Sequence, residues 1–260
     1  RRQRQMCIRD SSDAVIASHN VHFFGIGESE MEYELRDYMQ ELTNPTLAPY
    51  AKSGECLVRV TAKAESLEKA EEMMAPVVEK VRAMFGDLVY AVDGLNLAEH
   101  TVKLLIEKGV SLAAAESCTG GELEKRITDI PGASAALKGG VVVYTNEAKH
   151  LLLGIPVETI DKYGAVSFEV AAELAERVRR KLGADLGVGI TGLAGPDGDG
   201  VHEVGTVFLS LSDGKRTWVR EKRIVNRDRS TVRLYACQNV FDMLRRYLSG
   251  LPVEQERSDI

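Results

Sequence analysis

Over residues 97–248 the chain alternates short apolar runs with amphipathic helical stripes, and this alternation constrains the fold more than any other feature. Leu97, Val102, Leu105 and Ile106 recur at helical spacing, and Gly109 follows as a natural C′ residue. Residues 110–115, 140–145, 186–191 and 205–211 read as buried strands, and Asp213-Gly214 reads as a hairpin turn into a fifth. Between them lie a helix over 147–152 that Asn146 can cap and a helix capped by Ser167. The second of these carries Ala171, Leu174, Ala175, Val178 and Leu182 on one face. A last helix over about 230–248 turns Val232, Ala236, Val240 and Leu244 inward. Strands alternating with helices imply a three-layer α/β/α domain, in which ligands sit beyond the C-terminal ends of the strands.

The preceding segment has a different pattern. Met31, Leu35, Tyr38 and Leu42 make one helical stripe, and Ala70, Met73, Val77, Val81 and Met84 a second, in which Pro76 should force a kink or a restart. Pro45 and Pro49 should break the chain between them. Residues 56–62 alternate as a half-buried strand does, and 88–92 form a short strand ending at Asp93-Gly94. Two helices on a small sheet make an α+β domain. The expected organisation is a leader at 1–12, an α+β domain at 13–94, an α/β domain at 95–250 and a flexible tail at 251–260.

Charge narrows the function classes. The 260 residues carry a formal net charge of −6, and residues 13–93 hold 15 acids and 7 bases. An acidic small domain argues against a nucleic-acid surface there. Arg1, Arg2, Arg4 and Arg9 fit either a basic arm or a disordered or foreign leader, and the second reading is preferred. Cys7, Cys56, Cys118 and Cys237 are scattered, so no disulfide framework or structural zinc site is expected. His19 and His22, the only close histidine pair, have no Cys or carboxylate at ligand spacing, and no metal is expected. No apolar run approaches the roughly 20 residues of a membrane span, and no signal-peptide core is visible. A cytoplasmic protein is the expectation.

Three strand-end loops carry the candidate chemistry. In the first, Ala115-Glu116-Ser117-Cys118-Thr119-Gly120-Gly121, a hydroxyl and glycines open a helix. Free backbone N–H groups and the helix dipole there can hold an oxyanion or phosphate. The same spacing equally fits a plain turn in which Ser117 or Thr119 is only the N-cap. In the second, Tyr144 ends a strand and Lys149 lies in the first helical turn, so both can reach one cleft. A desolvated lysine can act as base for a serine, and a tyrosine can relay a proton; taken alone, Lys149 reads better as an exposed helix charge. The third loop holds Thr191, Gly192, Ala194 and Gly195. Gly187, Gly189 and Gly192 there spell G-x-G-x-x-G, but the first two fall inside the strand, which argues against a dinucleotide site. Arg227, Asp228, Arg229 and Arg233 cluster at the last helix start, either as a solvated face or as an anion clamp.

Ala-Glu-Ser-Cys-Thr-Gly-Gly at 115–121, Gly-Gly-Val-Val-Val-Tyr-Thr-Asn-Glu-Ala-Lys at 139–149, Gly-Ile-Thr-Gly-Leu-Ala-Gly-Pro-Asp-Gly at 189–198 and Arg-Asp-Arg-Ser-Thr-Val-Arg at 227–233 resemble the C-terminal domain of the CinA family. Phe-Phe-Gly-Ile-Gly-Glu-Ser-Glu and Asn-Pro-Thr-Leu-Ala-Pro-Tyr-Ala, within 21–94, are similar to that family's KH-like middle domain. Nothing in the chain resembles the molybdopterin-binding-like N-terminal domain of full-length members, so pyrophosphatase activity is not carried over. Where the family usually has Gly before the Asp-Arg pair, this chain has Arg227.

The resemblance implies a KH-like domain followed by an α/β/α amidohydrolase domain that converts nicotinamide mononucleotide to nicotinate mononucleotide and ammonia, without metal or cofactor. It puts the nucleophile at Ser117, with Tyr144 and Lys149 assisting. Backbone N–H groups near Thr119, Gly120 and Gly121 would hold the oxyanion. Thr191, with Gly192, Ala194 and Gly195, would line the substrate, and Arg229 or Arg233 would take its phosphate. Cys118 is intrinsically the better nucleophile, but adjacent side chains of such a turn diverge, which favours Ser117. A homodimer is implied as well. The rival function is a non-catalytic binding protein acting through the KH-like domain, which the acidity of 13–93 and the absence of a basic G-x-x-G clamp disfavour.

Overall fold

The computed structural model describes residues 8–9, 14–52 and 54–253. The chain divides into two compact units, Arg1–Leu97 and Ala98–Ile260. The expected leader and tail lie outside the described residues, except for Ile8–Arg9 and 251–253.

The first unit runs β1 (Ile8–Arg9), β2 (Val15–Phe23), α1 (Glu28–Glu41), β3 (Thr46–Lys52), β4 (Glu55–Ala64), α2 (Leu67–Phe85) and β5 (Val89–Val92). Its sheet is antiparallel: β4 lies between β2 and β3, while β1 and β5 pair with β2. Ala17, Val21, Phe23, Val58, Val60 and Ala62 face a core completed by Met31 and Leu35 of α1 and by Ala70, Met74, Val77, Val81 and Phe85 of α2. One expectation is corrected here. Pro49 does not break the chain but sits in β3, an edge strand, where a residue lacking an N–H is tolerated. Pro76 does not restart the helix: it lies inside α2, where buried side chains on both sides of it hold the helix against a penalty of about 3 kcal/mol. The buried stripe also uses Met74 and Phe85, leaving Met84 exposed.

The second unit runs α3 (Leu97–Lys108), β6 (Leu112–Glu116), α4 (Glu122–Thr128), β7 (Leu137–Val142), α5 (Asn146–Leu153), α6 (Val157–Tyr163), α7 (Phe168–Leu182), β8 (Leu186–Gly192), β9 (Thr206–Ser212), β10 (Thr217–Arg223) and α8 (Arg229–Leu248). The strand order is β10-β9-β8-β6-β7, with β6 parallel to both β7 and β8 and the β9–β10 edge antiparallel. Ala113 and Ala115 of β6 pack against Val170, Leu174 and Val178 of α7 and against Leu153 and Ile160 of α5 and α6. The other face carries α4 and α8, and Thr101 of α3 donates to the Phe241 carbonyl of α8 at 3.2 Å. These three layers fit a helix–sheet–helix architecture.

The glycines of the G-x-G-x-x-G string have a packing reason. A Cβ on Gly187 would fall 2.1 Å from the Ala175 carbonyl oxygen, and one on Gly189 would fall 2.6 Å from that of Ala171. They let α7 lie directly on β8. Since β6, β7 and β8 run parallel, their C-terminal ends lie at one end of the sheet, and the three loops of interest all emerge there.

Candidate active site

Alternation along β6 sorts the groups of the first loop. Ala113 and Ala115 point toward α5 and α7, so the even residues Ala114 and Glu116 point toward α4. Ser117 follows in extended register, its N–H donating to the Ile190 carbonyl at 2.9 Å. Two consecutive residues thus serve opposite faces.

On the α5 side, Lys149 reaches the serine. Thr145, not Asn146, caps α5, accepting from Ala148 N–H at 3.1 Å. The strand before it ends at Val142, so the chain turns one residue earlier than Asn146 requires. From that turn Lys149 projects inward and is 1% exposed, in contrast to the exposed helix charge its sequence context suggests. Its Nζ lies 3.2 Å from Ser117 Oγ and 3.1 Å from the Val143 carbonyl oxygen. Burial lowers the Lys149 pKa from its ordinary value, while Cys118 and Glu147 oppose the shift. A neutral Lys149 amine can keep an N–H on Val143 and turn its lone pair toward the Ser117 hydroxyl. This is the geometry of a serine activated by a base.

Cys118, by contrast, is a buried thiol. Burial pushes its thiol up to about 12 and the Glu116 carboxylate adds to this, while its own backbone N–H, Arg229 and Lys149 oppose it, so the thiolate is disfavoured. Cys237 is also buried and raised well above its ordinary value.

On the α4 side, the reading of an open helix N-terminus is corrected. Glu116 is fully buried, and its carboxylate accepts from the N–H groups of Gly121 at 3.0 Å, Leu123 at 3.2 Å and Glu124 at 2.9 Å. Gly120 N–H donates to the Ser117 carbonyl at 3.1 Å. The first turn of α4 is therefore already occupied by an internal anion, and the Gly120 and Gly121 donors are committed within the loop. Sequence reading missed Glu116 as a functional group. The signal available was a carboxylate at a strand end five residues before a glycine-opened helix, outside the usual capping spacing. Glu124 stands beside it, in the notch left by Gly140, where a Cβ would fall 1.8 Å from Glu124 Oε1. That oxygen is buried with no hydrogen-bond partner among the described residues. Burial and the nearby Glu116 carboxylate push the Glu124 pKa up to about 7.

The remaining candidates form two braces. Tyr144, 57% exposed, accepts from Arg229 Nη2 at 2.8 Å, and Arg229 Nη1 donates to the Gly195 carbonyl at 2.6 Å. The tyrosine thus meets Arg229, whereas the Ser117 hydroxyl meets Lys149. Arg233 donates from Nε and Nη2 to the Thr119 carbonyl at 3.0 and 2.5 Å and lies 3.4 Å from Glu122 Oε2. Thr191 is buried, its hydroxyl donating to the Ala165 carbonyl at 2.7 Å. Gly192 closes β8 against Val207, and Ala194 is buried. Asp228 caps α8 by accepting from Thr231 N–H at 2.9 Å, and hydrogen bonds from Ser230 and Thr231 hold its carboxyl well below the usual range.

In the first unit, residues distant in sequence gather around a histidine. His19 of β2 lies between Asp93 and Glu71, 2.6 Å from the latter. Burial lowers its pKa, but the two carboxylates outweigh that and raise it overall. No group of His, Cys, Asp and Glu able to hold a metal ion occurs among the described residues, and no helix there is long and apolar enough to cross a membrane.

Comparison with known proteins agrees with the two-part layout. The family model for the CinA C-terminal domain matches residues 95–248, and that for the damage-inducible protein CinA KH domain matches residues 18–91. A CinA-like protein of Desulfovibrio desulfuricans is 49% identical over 250 residues, covering 95% of this chain and 58% of its own length. A putative competence-damage inducible protein of Caldanaerobacter subterraneus is 42% identical over 240 residues, covering 92% of this chain and 58% of its own length. The chain thus spans less than three fifths of these relatives. Among solved structures, a CinA superfamily protein from Klebsiella pneumoniae matches with TM-score 0.58 at 29% identity, over 59% of this chain and 96% of that one. The competence/damage inducible protein CihA of Agrobacterium tumefaciens matches with TM-score 0.56 at 32% identity, over 60% and 97%.

Proposed function

The chain belongs to the CinA family, and from that premise we propose that its second unit is an amidohydrolase acting on nicotinamide mononucleotide. The observation that carries the reading is the buried Ser117–Lys149 pair at the C-terminal end of β6. Ser117 Oγ attacks the carboxamide carbon while neutral Lys149 takes its proton. The tetrahedral intermediate collapses, Lys149 returns the proton to the departing nitrogen, and ammonia leaves an acyl-serine. Water then adds to the ester with Lys149 again as base, Ser117 recovers its proton, and nicotinate mononucleotide is released. All of this is acid–base and nucleophilic chemistry that these side chains can perform.

Because the Gly120 and Gly121 N–H groups are engaged, the N–H groups of Cys118 and Thr119 are assigned to the oxyanion. Of the two arginines, Arg229 suits the phosphate better. It is exposed and rests on two neutral acceptors, whereas Arg233 lies beside the Glu122 carboxylate. Tyr144, bonded to Arg229, belongs to the substrate side of the cleft and orients that guanidinium. A cytoplasmic homodimer is the setting we assign to this activity.

The test is ammonia release from nicotinamide mononucleotide by the purified chain, with Ser117→Ala alongside. Turnover by the wild type and a loss of at least about 10³-fold in the variant are expected. A wild-type protein that releases no ammonia, or a variant that turns over normally, would sink the reading.

A further inference from the structure

Glu116 does more than end a strand. Its carboxylate gathers three N–H groups of the loop and first turn that follow Ser117: Gly121, Leu123 and Glu124. Its backbone carbonyl accepts from Val143 N–H at 2.8 Å, and the Val143 carbonyl in turn accepts from Lys149 Nζ at 3.1 Å. One fully buried residue therefore holds the serine loop from one side and the lysine's anchor from the other.

Among the described residues no other side chain caps the helix that follows this loop: its N-cap residue is Gly121, at φ +91°, and the Glu122 N–H goes to the Thr119 carbonyl at 3.2 Å. Both carboxylate oxygens are used, Oε2 by two donors and Oε1 by one. That is a match for an ionised carboxylate, which only accepts, and a mismatch for an amide, whose NH₂ would confront an N–H.

We propose that the Glu116 carboxylate is a positioning group for Ser117, fixing the serine's direction against Lys149 through the loop and first turn of α4. The proposal rests on the reading of Ser117 as nucleophile. A displacement of about 1 Å at such a site is enough to slow reaction by roughly 10²-fold without touching substrate binding.

The test uses a probe independent of the amide substrate. An alkyl fluorophosphonate reports an activated serine: Ser117 Oγ bonds to phosphorus, fluoride leaves, and the serine proton passes to Lys149. Labelling rates, followed by intact mass with Ser117→Ala as control, are compared for wild type, Glu116→Gln and Glu116→Asp, beside kcat and KM for nicotinamide mononucleotide and the thermal midpoint.

Glu116→Gln is expected to be labelled about 100-fold more slowly and to lose kcat in proportion, with KM within about twofold and a folded baseline. Glu116→Asp keeps the charge but is one methylene short, and is expected to be slowed about tenfold; it decides the matter if the glutamine variant does not fold. Labelling and kcat within about threefold of wild type in Glu116→Gln overturn the proposal. So does full activity in Glu116→Asp, which would make charge rather than placement the requirement. A wild type that is labelled at Ser117 yet releases no ammonia refutes the amidase reading alone, and the labelling comparison still decides Glu116. A wild type that neither takes up the label nor releases ammonia overturns both, because there is then no activated serine to position; where ammonia is released without labelling, kcat in the two variants decides Glu116 by the same thresholds.

Discussion

Replacing Lys149 with methionine removes the amine that touches Ser117 and leaves an unbranched side chain of nearly the same length in its slot. Two effects on stability oppose one another. The Val143 carbonyl loses its donor, which costs about 1–2 kcal/mol for a buried acceptor. Against this, the wild type holds an amine whose charged form burial disfavours. Because the folded-state pKa lies below 10.5, unfolding takes up a proton between the two values. That lysine's contribution is therefore fully present only above the unfolded pKa and is lost as pH falls through the folded one. Lys149→Met should accordingly lie within about 2 kcal/mol of wild type at neutral pH, with a flatter alkaline stability profile. Activity should respond far more. Loss of a general base lowers rate about 10²–10⁴-fold, or roughly 3–5 kcal/mol of barrier. Lys149→Arg should be equally inactive, since a guanidinium does not give up its proton at working pH. Ammonia release across pH, beside thermal melts of the same samples, makes the comparison. Wild-type rate should rise with pH toward the lowered lysine pKa. Turnover within tenfold of wild type in either variant would refute the role of Lys149 as base.

Three further outcomes follow from neighbouring groups. Cys118→Ala should retain kcat within about twofold and lose about 1 kcal/mol of stability, because the thiol is buried and held protonated at about 12; a tenfold fall in kcat at unchanged fold would contradict this. Arg229→Ala should raise KM for nicotinamide mononucleotide about 10–100-fold and leave hydrolysis of the dephosphorylated nucleoside unchanged, the signature of a lost phosphate contact; equal effects on both substrates would argue against it. Glu124, raised to about 7 in the folded state, keeps its proton longer than in the unfolded chain, so its contribution is full below pH 4.5 and lost as pH rises to about 7. Glu124→Gln should remove that slope and gain about 1–2 kcal/mol at pH 8, allowing for partial solvent screening, as denaturant melts between pH 4 and 8 would show.

Periodicity carried much of the architecture. The Ala171–Leu174–Val178 stripe, the Ser167 cap and the Asp213-Gly214 turn are local patterns whose partners lie within a few residues, and each forms as such. Strand β2 left no such mark, because His19 interrupts the core-facing row of Ala17, Val21 and Phe23, and β3 was hidden by Pro49, which an edge position accommodates.

The four motifs were enough to indicate the family and to nominate Ser117, Tyr144 and Lys149. Which of them meet was decided by tertiary structure alone. Lys149, 32 residues from Ser117 in sequence, is buried against it because β6 and β7 run parallel and leave the sheet at the same end. The same sheet turns Glu116 to the opposite face, where it closes the helix N-terminus that the loop's glycines had suggested was open. Local sequence sets backbone geometry, side-chain chemistry and hydrophobic period; burial, and with it the protonation of a lysine or a thiol, depends on which distant segments the sheet brings alongside.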